Sequence, residues 1–131
     1  LSFEFWSIMG INNDESLGYP DKIGYRAGIA GPFFPLNNNL DEELNIVILP
    51  LIAMDSCMIN TYGKSAIAEI EKHIAHLSIV GGTFTLLFHP GRYHSDEFPI
   101  SNGLYDDLLA LFFKYKSRCI LPGELGKLLD S

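Results

Sequence analysis

Three residues whose types suit acid–base chemistry stand where strand-like segments give way to loops. Arg26 closes the segment Lys22-Ile23-Gly24-Tyr25-Arg26, Asp55 follows the apolar run 46–54, and His89 ends the run 83–88. Pro90 crowds the α conformation of the residue before it, so His89 is biased toward extended backbone and its imidazole toward the rim. An arginine, a carboxylate and an imidazole around one mouth would serve general acid–base chemistry with an orienting charge. That requires the three segments to be parallel neighbours with their carboxyl ends facing the same way. Each residue also has an ordinary use: a strand-end arginine as a surface ion-pair partner, an aspartate as a turn cap, a histidine as a plain loop residue.

Other constellations are weaker. His73 and His76 have a metal-like spacing, but His76 lies on a polar helix face and His73 at its margin, with no third ligand close in sequence. His94 lies in the loop 91–98 with no obvious partner. The acidic run Asp41-Glu42-Glu43 suits a helix start or a solvated segment better than a cation site. Gly24, Gly28 and Gly31 do not space as a dinucleotide-binding loop, there is no Gly-x-Ser-x-Gly turn, and neither cysteine has an evident base.

The elements that must position these groups follow from periodicity. Segment 2–9 has the look of the closing turns of an amphipathic helix ended by Gly10. Such a start, without a preceding element, suggests an excerpt of a longer protein. Segment 22–26 is a strand candidate, Pro32-Phe33-Phe34-Pro35 and the asparagines 37–39 make a stiff loop, and 45–53 reads as a strand covered on both faces. Segment 63–80 places Ile67, Ile70, Ile74 and Leu77 on one helix face, opposite Glu69, Lys72 and His76, and Gly81-Gly82 stops it. Segment 83–88 is a strand. Segment 103–115 is a helix capped by Ser101 or Asn102, with a wide apolar arc of Leu104, Leu108, Leu111 and Phe112 extending to Leu109 and Phe113. Segment 118–121 reads as a last strand and Pro122 starts a helix through 129. The alternation implies an α/β chain of about four mainly parallel strands, either a small three-layer domain or one side of a larger β/α barrel.

Composition sets the outer limits. The 131 residues fit one domain, and 47% hydrophobic against 19% charged residues gives enough apolar material for a core. Nine basic residues against sixteen acidic give a net charge of −7, which argues against nucleic acid or an anionic membrane surface as a partner. No stretch nears the roughly 18 unbroken apolar residues of a spanning helix. Two cysteines are too few for a disulfide framework, which makes a reducing, cytoplasmic setting the default.

At the same three places the chain resembles the polysaccharide deacetylase (NodB-homology, carbohydrate esterase) family. Ser16-Leu17-Gly18-Tyr19-Pro20-Asp21-Lys22-Ile23-Gly24-Tyr25-Arg26-Ala27-Gly28, followed by Pro32-Phe33, looks like its arginine-bearing motif. Leu49-Pro50-Leu51-Ile52-Ala53-Met54-Asp55 is similar to the next motif, and Thr83-Phe84-Thr85-Leu86-Leu87-Phe88-His89-Pro90 to its strand-plus-histidine motif. The resemblance implies a distorted β/α barrel that hydrolyses acetyl groups from sugars, with a divalent metal, zinc by first choice, held by an aspartate and two histidines. It further implies His89 as the general acid, Arg26 orienting the catalytic carboxylate, and Asp55 positioning the mouth. Trp6, Tyr25, Phe33, Phe34 and Tyr93 are candidates for stacking on an acetylated carbohydrate, with core packing as their ordinary use.

The family's Asp-Asp and His-x-x-x-His motifs precede the arginine segment, and nothing before Ser16 contains them. The expectation is therefore the C-terminal portion of a longer barrel, binding no metal and turning over no substrate by itself. The other account is a degenerate relative that serves as a carbohydrate-binding or assembly module. A severed barrel would leave open sheet edges that pair with the missing half or with a second copy of the chain.

Overall fold

The computed structural model describes residues 2–37, 39–93, 96 and 99–129. Helix α1 spans Ser2–Ile8 and ends at Gly10, whose φ of +78° is the left-handed conformation that closes a helix. Strand β1, Asn13–Asp14, follows. The strand expected over 22–26 does not form. Gly24 and Gly28 take φ values of +148° and +69°, so the backbone turns where a ladder would have to continue. Bonds from Gly24 N–H to Ile52 O at 3.0 Å and from Ile23 N–H to Tyr62 Oη at 3.3 Å tie this segment to the core.

Strands β2 (Leu36–Asn37) and β3 (Glu42–Glu43) pair antiparallel, which makes the acidic run the exposed arm of a hairpin rather than a helix start. The apolar run expected as one strand is two: β4, Val47–Ile48, and β5, Leu51–Met54. Pro50 lies between them and has no N–H to donate to a ladder. The two halves take different partners. Strand β4 pairs parallel with β1, and β5 pairs parallel with β6, Thr85–Leu87.

Helix α2, Asp55–Cys57, begins directly after β5 and leads through a π-helical turn, Met58–Tyr62, and a 3₁₀ turn, Gly63–Ser65, into helix α3, Ala66–Val80. Gly81 ends α3 at φ +82°. Beyond β6, 3₁₀ turns at Pro90–Arg92 and Pro99–Ser101 precede helix α4, Leu104–Lys114. The residue before α4 is Gly103 at φ +80°, so the N-cap falls on a glycine without a side chain rather than on Ser101 or Asn102. Segment 118–121 carries no strand, and helix α5 spans Pro122–Leu129.

The class is mixed α/β, with two parallel strand pairs and one antiparallel pair among the described residues instead of a single four-stranded sheet. The core lies where α3 and α4 meet β5–β6. Ile70 and Ile74 of α3, and Leu104, Leu108 and Leu111 of α4, enclose Ile52, Ala53 and Met58. Each Ile, Leu and Met side chain among them stabilises the fold by about 1.5–3 kcal/mol through the area it removes from water. The outer part of the broad α4 arc stays out, with Phe113 and Leu109 exposed. Phe84, Leu86 and Phe88 pack toward this core. Strand alternation therefore turns Thr85, Leu87 and His89 to the opposite face.

Candidate acid–base site

Asp55 and His89 meet because β5 and β6 run parallel and, after a register shift between Leu51 and Ala53, end with Met54 opposite Leu87, so that Asp55 stands one residue and His89 two residues past its strand. Parallel strands bring their carboxyl ends to one side, where loops diverge and leave room for a ligand. The Asp55 side chain is fully buried. Its Oδ1 accepts the Ser56 N–H at 2.6 Å and faces His89 Nδ1 at 2.7 Å, and its Oδ2 accepts the His89 N–H at 2.7 Å. A buried carboxylate is tolerated when it is well hydrogen-bonded, and these three donors meet that need. The aspartate thus holds both the backbone and the ring of His89. With Nδ1–H turned to the carboxylate, Nε2 is the nitrogen left for a ligand, on a side chain 53% exposed.

The guanidinium beside this pair belongs to Arg92, whose Nε lies 3.7 Å from Asp55 Oδ2. In a 3₁₀ turn residues three apart eclipse, so the Pro90–Arg92 turn stacks Arg92 on the side of His89. Sequence reasoning missed this arginine. The turn-forming Pro90-Gly91 between it and His89 was the signal that could have found it.

Arg26 does not join them. The three-residue mouth required Arg26 to end a parallel strand, and that strand is absent. Its exposed guanidinium donates from Nη1 to Gly18 O at 3.0 Å. Gly18 packs against Leu51, at the start of β5, whereas Asp55 follows its end. Four residues of strand separate those points, about 13 Å.

The aromatic candidates also part company. Tyr25 packs against the core with its ring edge-on to His73, 5.4 Å between centroids, and burial pushes its hydroxyl up from the ordinary tyrosine range. The same burial pulls His73 down. Phe33 is held in a backbone bridge to Ile48, before Pro50 and away from the carboxyl end of β5. Trp6 stacks edge-on with Phe3 in α1, and Phe34 is half-buried. Tyr93 is exposed and follows the turn that carries Arg92. Its ring stands edge-on to Tyr105 of α4 at 5.8 Å, and its hydroxyl reaches Asp106 at 3.4 Å. His94 lies outside the described residues.

Cys57 follows Asp55 by two residues but is buried, and desolvation pushes its thiol up, away from the thiolate a nucleophile needs. Among the described residues no three His, Cys, Asp or Glu side chains gather to hold a metal ion, so they do not form the aspartate–histidine–histidine set of the resemblance. No helix of the described residues is long and apolar enough to cross a membrane. Comparison with family models, with curated proteins and with solved structures finds no match for this chain.

Proposed function

We propose that this chain is the C-terminal part of a polysaccharide deacetylase-like hydrolase, the part that supplies the proton-transferring histidine. The observation that carries the reading is the buried Asp55 carboxylate gripping His89 through Nδ1 and through its backbone N–H at the carboxyl ends of two parallel strands. An imidazole fixed in this way offers Nε2 in one orientation. The protonated ring can pass that proton to the nitrogen or oxygen leaving an acetyl group, and Asp55 stabilises the charged ring before transfer. Arg92 limits the freedom of Asp55 from its other side.

The metal of such an enzyme is a divalent ion, zinc by first choice, and its ligands belong to the half-barrel that would precede this chain. Arg26, which stands apart from Asp55, remains available to a carboxylate from that half. The partners on this reading are an acetylated carbohydrate and the preceding half of the barrel, with a second copy of the chain as the substitute when that half is missing. The other reading, a silent carbohydrate-binding module, draws on the exposed ring of Tyr93.

The test is His89→Ala in the full-length protein, assayed for acetate release from an acetylated chitooligosaccharide. Turnover falls by at least about a hundredfold with metal content unchanged if His89 is the acid. An unchanged rate removes it from that role.

A further inference from the structure

A second feature is a cleft of about 400 Å³ between the start of α3 and the start of α4, the helices that follow β5 and β6 in the chain. The chain reaches it from Asp55 through the Met58–Tyr62 turn and from His89 through the Pro99–Ser101 turn. Its volume lies in the range of small-ligand sites. Ile67, Leu104 and Pro99 give it an apolar floor, and Lys64, Asn102 and Asp107 stand around it. Among the described residues these three polar side chains make no hydrogen bond or ion pair, and all three residues are exposed. One ammonium, one carboxylate and one amide offer donors and acceptors in balance, without the surplus of positive charge that a phosphate or sulfate needs.

We propose that this cleft is a subsite for one unit of an uncharged oligosaccharide. A sugar ring presents an apolar face to the floor and hydroxyl or acetamido groups to Lys64, Asn102 and Asp107. The first turn of α4 serves both places, because Leu104 and Asp107 line the cleft while Tyr105 and Asp106 hold Tyr93. The inference deepens the carbohydrate reading above by placing a binding site away from the acid.

The experiment is a nitrogen-15 NMR titration of the full 131-residue chain with tetra-N-acetylchitotetraose. Saturable shifts at the amides of Lys64, Asn102 and Asp107 are the expected result. Asn102→Ala and Asp107→Asn, both at exposed positions, weaken binding by roughly three- to tenfold, the worth of one hydrogen bond, while Lys72→Ala, exposed on α3 and outside the cleft, leaves it unchanged. Shifts confined to other residues, or variants that bind as the parent chain does, overturn the proposal. So does an inorganic phosphate titration that moves these amides when the sugar does not. Failure of the deacetylase reading is separately visible: sugar binding at the cleft with full turnover in the His89→Ala protein keeps the subsite and removes the acid.

Discussion

Removing Asp55 should cost far more stability than removing the ring it holds. In Asp55→Ala the N–H groups of Ser56 and His89 lose their acceptors, and His89 Nδ1 loses its partner. A donor left unsatisfied in the interior costs about 1–3 kcal/mol, and the two backbone groups together, with partial access of water, cost about 2–4 kcal/mol. In His89→Ala the carboxylate keeps both backbone donors and loses one bond to a side chain that is 53% exposed. Water entering the half-exposed place of the ring can donate to Oδ1 in its stead, which leaves under about 1 kcal/mol. Urea denaturation followed by circular dichroism reads the difference. With a slope of about 2 kcal/mol per molar, the midpoint drops by roughly 1–2 M for Asp55→Ala and by less than about 0.5 M for His89→Ala. Asp55→Asn, which keeps one acceptor oxygen, falls between. Equal losses for the two alanine variants would refute the argument that Asp55 secures the backbone of His89 as well as its ring.

Two further outcomes follow from packing and charge. At Gly82 a Cβ would stand 2.6 Å from Ala30 O, at a φ of +131°, so Gly82→Ala should destabilise by about 2 kcal/mol or more. Gly28→Ala, at φ +69° with open space around it, should cost about 1–2 kcal/mol, the conformational penalty alone, and thermal unfolding of the pair tells them apart. Between α3 and α4, hydrogen bonds from Lys114 and then Tyr115 hold the Glu71 carboxyl below the ordinary carboxylate range. A folded-state value below the unfolded one stabilises above the unfolded value and is lost as pH falls through the folded value. The Tm advantage over Glu71→Gln should therefore be present at neutral pH and shrink as pH falls below the ordinary glutamate value of about 4.3.

Much of the local structure was legible in the sequence. The α3 stripe of Ile70, Ile74 and Leu77 is buried, and the glycines after α1 and α3 end those helices. Strand β6 lies inside the segment expected, because β-branched and aromatic residues leave little choice there. Segment 22–26 misled because it is apolar enough for a strand, while its glycine takes a turn conformation that composition does not reveal. The 45–53 run misled in the other direction, since its apolar continuity masked the break that Pro50 imposes. The proximity of Asp55 and His89 was readable only on the premise of parallel neighbouring strands. That premise held for β5 and β6 and failed for the arginine segment.

Residue chemistry and periodicity by themselves determined helices α1, α3, α4 and α5, though not the helical turns 55–62, together with the α/β class and the placing of Asp55 and His89 at strand ends. Those properties depend on neighbours within a few residues, over which backbone preference and apolar spacing act. The tertiary structure alone decided that Arg92 stands by Asp55 while Arg26 turns to Gly18, and that Tyr25 is packed inside while Tyr93 is exposed. Such choices rest on register and on which strand pairs with which, contacts between segments far apart in the chain that no local pattern encodes.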